Sequence, residues 1–173
     1  ILEKQKEEAN LQFGKFVEKN YEEWMNNDEE APLFSHKIFV RRVVPELRGD
    51  ENVLFVVIDN LRYDQWKAFE EIVNNHYKTE KEDYYYSILP TATQYARNAI
   101  FSGLTPLQME KQLPQFWKND VDEGGKNLFE AEFLEDQLKR LRLNVKHEYH
   151  KITNLKDGKK LADNFKSMKD NKL

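Results

Sequence analysis

The stretch Val53-Leu54-Phe55-Val56-Val57-Ile58-Asp59-Asn60-Leu61-Arg62-Tyr63-Asp64 decides how this chain is read. Six apolar residues, four of them β-branched, run without a polar break and stop at an acid and a polar turn. A run of that length predicts a central parallel strand covered on both faces. Its C-terminal end delivers the carboxylate of Asp59. In open α/β sheets, ligands gather at the carboxyl ends of strands.

Strand and helix patterns alternate from there onward. Trp66, Phe69 and Val73 share one face of a helix predicted over Tyr63–Val73. Tyr84–Leu89 is aromatic-rich and predicts a second strand. Gln94–Ser102 predicts a helix closed by Gly103, and Thr105-Pro106 has the chemistry of a helix start. Asp120–Gly125 reads as a loop. Phe129, Phe133, Leu134, Leu138 and Leu141 mark a helix over roughly 128–141. Val145–Ile152 predicts a strand, and Leu161–Phe165 lies in a last helix. The alternation predicts an α/β fold, a mostly parallel sheet with flanking helices.

The first third differs. Phe13, Val17, Tyr21 and Trp24 step by four, four and three, which makes one stripe of a helix over 1–27. An acidic break follows at Asn27–Pro32, and the apolar stretch Ile38–Val44 reads as a helix stopping at Pro45. Residues 1–47 are therefore read as a helical connector, and 48–173 as the α/β part. The chain opens mid-pattern on Ile1, as expected of a piece of a longer protein.

Bulk properties exclude several classes. The chain has 173 residues, 39% hydrophobic and 34% charged, with a net charge of −4. Residues 1–30 hold nine acids against four lysines, so the remainder is close to neutral. No basic face suits duplex DNA. The lysines of 156–172 alternate with Asp157, Asp163 and Asp170, as on a solvated helix face. No apolar run approaches the roughly 20 residues that span a bilayer. There is no cysteine, hence no disulfide and no thiolate zinc site.

Two segments carry candidate chemistry. Asp59 is a hard oxygen donor suited to Zn²⁺, Mn²⁺ or Mg²⁺, or else the cap of the helix beginning near Leu61. Thr93, in Pro90-Thr91-Ala92-Thr93-Gln94, sits where a helix starts. Its hydroxyl is a nucleophile if a base or metal takes its proton, with the helix N-terminus receiving a phosphate; otherwise it is an N-cap. Thr91 competes for either role. Arg97 and Asn98 lie about one turn further, where they reach a phosphate oxygen or serve an ion pair. Arg62 and Asp64, two apart, are placed to pair with each other or with neighbours. His147 and His150, three apart on a strand, point to opposite faces and share no metal.

These segments resemble the alkaline phosphatase superfamily. Its phosphodiesterase branch ends a strand in Asp-Gly-x-Arg-x-Asp, which stands here as Asp59-Asn60-Leu61-Arg62-Tyr63-Asp64. Its nucleophile motif, Pro-Thr-x-Thr followed by Gly-Leu-x-Pro, stands as Pro90-Thr91-Ala92-Thr93 and Gly103-Leu104-Thr105-Pro106. Asn60 replaces the glycine. The longer strings Val57–Trp66 and Leu89–Asn98 are similar to PglZ domains of PorX-like response regulators, over roughly 50–165.

The resemblance implies an alkaline-phosphatase-like fold, present in part. It implies a metal-dependent phosphodiesterase or phosphatase output domain with two Zn²⁺-type sites acting on a phosphodiester or nucleotide-like substrate. It carries over Asp59 as metal ligand and Thr93 as nucleophile and metal ligand, with Arg97 and Asn98 at the substrate. It further implies a cytoplasmic two-component regulator of type IX secretion, with an upstream receiver domain, a sensor kinase and a homodimer as partners. The superfamily's late Asp-x-His-Gly element has no counterpart, so the metal site is expected to be incomplete in these residues. A non-catalytic signalling module, working through helical contacts and dimerisation, is the rival reading.

Overall fold

The computed structural model describes residues 1–173 apart from Asp28 and Asp120. The acidic break at Asn27–Pro32 and the loop at Asp120–Gly125 each contain one of these two, which lie outside the described residues.

Helix α1 spans Leu2–Asn26. It buries no residue fully, and it meets the rest of the protein mainly through aromatic rings, with Met25 packed against the core. Tyr21 packs edge-on to Phe34 at 5.6 Å, and Trp24 meets Tyr86 at 5.4 Å. The Tyr21 hydroxyl also accepts a hydrogen bond from the Leu89 N–H at 2.9 Å.

The stretch expected to stop at Pro45 runs through it. A π-helical turn, Phe39–Val43, continues into α2, Val44–Leu47. Pro45 falls in the first turn of α2, the helical position that best accommodates a proline, while the Val44 N–H before it donates to the Phe39 carbonyl. Phe39, Val43, Val44 and Leu47 all enter the core.

Helices α3 (Tyr63–Asn74), α4 (Thr93–Ser102), α5 (Pro106–Gln112), α6 (Glu130–Arg140) and α7 (Leu155–Asn164) follow. The core lies between α4 and α6, where Ala99, Phe101, Leu104, Met109, Phe133, Leu134 and Leu138 are buried together with Ile88. Local signals set the ends. Thr105 caps α5, its Oγ1 accepting from the Gln108 N–H at 3.3 Å while Gln108 Oε1 accepts from the Thr105 N–H at 2.9 Å.

Gly103 ends α4 in the left-handed region, at φ 65°. A Cβ there would collide with Gln137 Oε1. Gln137 cannot swing away, because its Nε2 donates to the carbonyls of Ile100 and Phe101. Gly103→Ala is therefore expected to cost about 2–3 kcal/mol, combining left-handed strain with a displaced buried amide. Urea denaturation measures it, and a loss under about 0.5 kcal/mol would contradict this packing.

The predicted parallel sheet is absent. Among the described residues there is no sheet, only an isolated parallel bridge between Phe34 and Tyr86. Val53–Ile58 is extended, but its residues alternate. Val53, Phe55 and Val57 face the helices, while Leu54, Val56 and Ile58 are 61%, 62% and 52% exposed. One face is covered where two were expected. Among the described residues, its one backbone bond to another segment joins the Val53 N–H to the Lys172 carbonyl at 2.9 Å.

Val145–Ile152 behaves alike, with backbone bonds at Lys146 and Glu148 to Lys172 and Leu173. Tyr84–Leu89 meets Leu33–Ser35 instead of another predicted strand. An apolar run specifies which side chains leave water, and not which backbone stands beside it. Here the burial is met on helices. Phe55 packs on Phe39 and Phe101, and Tyr149 on Phe101, at ring distances of 5.6–6.4 Å.

Candidate functional site

Asp59 leaves the extended run at a turn whose next residue, Asn60, has φ 55°. The left-handed region favours glycine, then asparagine. This is why Asn60 can stand where the resembling motif has glycine. Asp59 caps no helix, since the N-cap of α3 is Arg62, whose N–H donates to Gln65 Oε1 at 3.0 Å. Arg62 and Asp64 form an exposed two-point pair with each other, both bonds at 2.9 Å. The Asp59 carboxylate instead meets Arg97, Nη1 to Oδ2 at 2.7 Å, across 38 positions of sequence.

Thr93 is the first residue of α4, after the N-cap Ala92, and no side chain caps the helix. Both Thr91 and Thr93 are exposed. An uncapped first turn presents N–H groups and the positive end of the helix dipole to an incoming anion. The Thr93 carbonyl accepts from Asn127 Nδ2 at 3.3 Å. Asn98 is buried and holds the same neighbour: its Oδ1 accepts from Asn127 Nδ2 at 2.8 Å, and its Nδ2 donates to the Lys126 carbonyl at 3.1 Å. Asn98 thus ties the segment before α6 to the start of α4.

Arg97 is the joint of the site. One terminal nitrogen is on Asp59, while Nε donates to Glu130 Oε1. Glu130, only 2% exposed, also accepts from Tyr149 OH at 2.8 Å and Lys151 Nζ at 2.9 Å. Burial, and then the Glu130 carboxylate beside it, push the Tyr149 phenol well above its ordinary value, so it remains a donor. Two carboxylates and two cations meet here, and their charges balance.

The turn of Asp59 and the first turns of α4 are therefore brought together by Arg97. Glu130, Tyr149, Lys151 and Asn127 were not singled out from sequence. One signal was present: Glu130 lies on the stripe of α6 that carries Phe133, Leu134 and Leu138, and a carboxylate on an apolar stripe needs a partner. His147 faces inward and His150 outward, as their spacing predicts, with His150 Nε2 at 3.1 Å from Glu148. Among the described residues no group of three or more His, Cys, Asp or Glu side chains is placed to hold a metal ion. Asp59 and Thr93 alone do not make such a site.

Comparison with known families settles the kinship. The family described as the BREX system PglZ alkaline phosphatase-like domain matches residues 38–169. The chain belongs to the PglZ family. The PorX response regulator linker domain matches residues 1–25, which are nearly all of α1. No curated protein matches the chain. The PglZ domain is thus joined to a response-regulator linker, and the Asp59 turn and the α4 start both lie inside the PglZ match. No helix among the described residues is long and apolar enough to cross a membrane.

Proposed function

We propose that this PglZ domain is the output module of a cytoplasmic two-component regulator and hydrolyses a phosphodiester or nucleotide-like substrate, with Thr93 as the nucleophile. The observation that carries this reading is the uncapped first turn of α4, with exposed Thr93 at its start and the Asp59–Arg97 pair anchored one turn further on. In the reaction, the Thr93 oxygen bonds to phosphorus as its proton passes to a water molecule, and the bond from phosphorus to the departing alkoxide breaks. The alkoxide takes up that proton by way of the water and leaves as the alcohol; a second water then bonds to phosphorus, the bond from phosphorus to Thr93 Oγ breaks, and a proton of that water returns to the Thr93 hydroxyl. An arginine fork suits the phosphoryl oxygens.

Metal dependence belongs to this reading, with Zn²⁺ the expected ion and Asp59 and Thr93 the expected donors. A pair of ions about 3.5–4 Å apart needs several protein ligands, which these residues do not supply, so no step is assigned to a metal. In this reading residues 1–47 serve as the helical connector and 48–173 belong to the output domain. The linker match supports an upstream receiver domain; a sensor kinase and a role in type IX secretion are the further parts of this proposal.

Asp59→Ala tests the reading in the protein that carries this chain. Asp59 is 46% exposed and caps nothing, so its pair with Arg97 contributes at most about 1 kcal/mol. The expected result is loss of bound metal and of aryl phosphodiester hydrolysis with a nearly unchanged melting temperature. Full metal occupancy and turnover in the variant would refute it.

A second reading, a non-catalytic module acting through helical contacts and dimerisation, is favoured by one observation. Leu2, Leu11, Phe13 and Phe16 on α1 are 47–81% exposed. Wild-type protein that binds no metal and hydrolyses no phosphodiester would decide for it.

A further inference from the structure

Glu130 is a carboxylate in an apolar place. It lies on the face of α6 that also buries Phe133, Leu134, Gln137 and Leu138. Taking an ionised group out of water is costly, and an apolar residue of similar volume would often stabilise a fold as well as a buried ion pair does. What the carboxylate adds is direction. A guanidinium is a flat fork, and a partner on Nε sets both its position and its rotation.

Glu130 Oε1 takes Arg97 Nε, while Lys151 Nζ and Tyr149 OH hold Oε2. With Nε engaged inward, the terminal nitrogens are left for the outer side, where Nη1 meets the half-exposed Asp59. The Arg97 side chain is 18% exposed, and the residue lies one turn from Thr93. Lys151 is further tied by the Asn127 carbonyl, and Asn127 is tied to Asn98 and to the Thr93 carbonyl. The anchor is thus coupled to the first turn of α4 from two sides.

We infer that Glu130 is a positioning residue for an oxyanion site: held by Lys151 and Tyr149, it fixes Arg97 through Nε so that the terminal guanidinium nitrogens meet a phosphoryl oxygen at the start of α4. The identity of the anion rests on the phosphoryl-transfer reading above. The geometry of the anchor does not. The arriving oxygen replaces Asp59 on Arg97, and Glu130 keeps the guanidinium in place during the exchange.

The test is calorimetric titration of inorganic phosphate into the protein that carries this chain, beside its melting temperature. Glu130→Gln keeps the shape and removes the charge. It is expected to lower the melting temperature and to weaken phosphate binding about tenfold, the scale of one charge-assisted hydrogen bond. Glu130→Gln with Lys151→Met removes one cation together with the carboxylate. That double variant is expected to regain most of the melting temperature while phosphate binding stays about tenfold weaker, because Arg97 still lacks its anchor.

Recovery of phosphate affinity along with stability overturns the inference, since Glu130 would then serve folding alone. So does unchanged affinity in folded Glu130→Gln, or an unmutated protein that binds no phosphate. Where the single variant does not fold, the double variant decides by the same measure. Phosphate binding that depends on Glu130, in a protein that hydrolyses no phosphodiester, supports the inference and refutes the catalytic reading.

Discussion

Thr93→Val in the protein that carries this chain is expected to abolish phosphodiester hydrolysis, while Thr93→Ser keeps part of it. The two side chains of the first exchange have nearly the same shape, so the hydroxyl is what is removed. Thr93 is exposed, and Ala92 rather than Thr93 occupies the N-cap of α4. Stability should therefore change by no more than about 0.5 kcal/mol, the range of an ordinary surface substitution. Serine returns a hydroxyl to the same position with more rotamer freedom, hence partial activity. Thr91→Val lies in the preceding turn and is expected to be mild. Steady-state turnover of an aryl phosphodiester, beside a thermal melt, reads all three. Unmutated turnover by Thr93→Val, with Thr91→Val folded and inactive, would move the nucleophile two residues earlier.

Glu130→Ala is expected to produce the largest loss of stability among single changes at the site, about 3 kcal/mol. Removing one member of a buried charge cluster leaves the others without compensation, and such losses run at about 3–5 kcal/mol. The low end applies, because Arg97 and Lys151 are 18% and 40% exposed and recover some solvent. The Tyr149 hydroxyl also loses its acceptor. Urea denaturation with an unchanged slope is the measurement. A loss under about 1 kcal/mol would show that the two cations find water easily, and that the cluster is looser than its geometry.

Much of the helical architecture is legible in the chain itself. α1, α3, α4, α5 and α6 lie within two or three residues of where periodicity and end signals place them. Those signals act over three or four residues. The Thr105 cap, Gly103 in the left-handed region and the stripe of α6 need no distant partner to be recognised. The kinship was legible for a similar reason. The Asp59 turn and the Thr93 turn are short strings, and both lie within the PglZ match.

The sheet was not legible. Val53–Ile58 carries the pattern of a buried strand, yet the pattern states only that alternate or successive side chains avoid water. Pairing is a property of two backbones, and the second is named nowhere in the run. Pro45 shows the same limit on a smaller scale. Its ring forbids one hydrogen bond, but a π-helical turn before it lets the chain continue.

By itself, then, the sequence determined the places of α1, α3, α4 and α6, the end signals at Thr105 and Gly103 and the two motif turns, because each rests on interactions between near neighbours; the roles of Asp59 and Thr93 are left to the variants above. Only the tertiary structure decided that Asp59 meets Arg97, that Arg97 is anchored on Glu130, and that Val53–Ile58 lies on helices with one face open. Those contacts join residues 33 or 38 positions apart, or depend on which surface an extended segment meets. No local propensity encodes them; they follow from how the elements pack around a shared core.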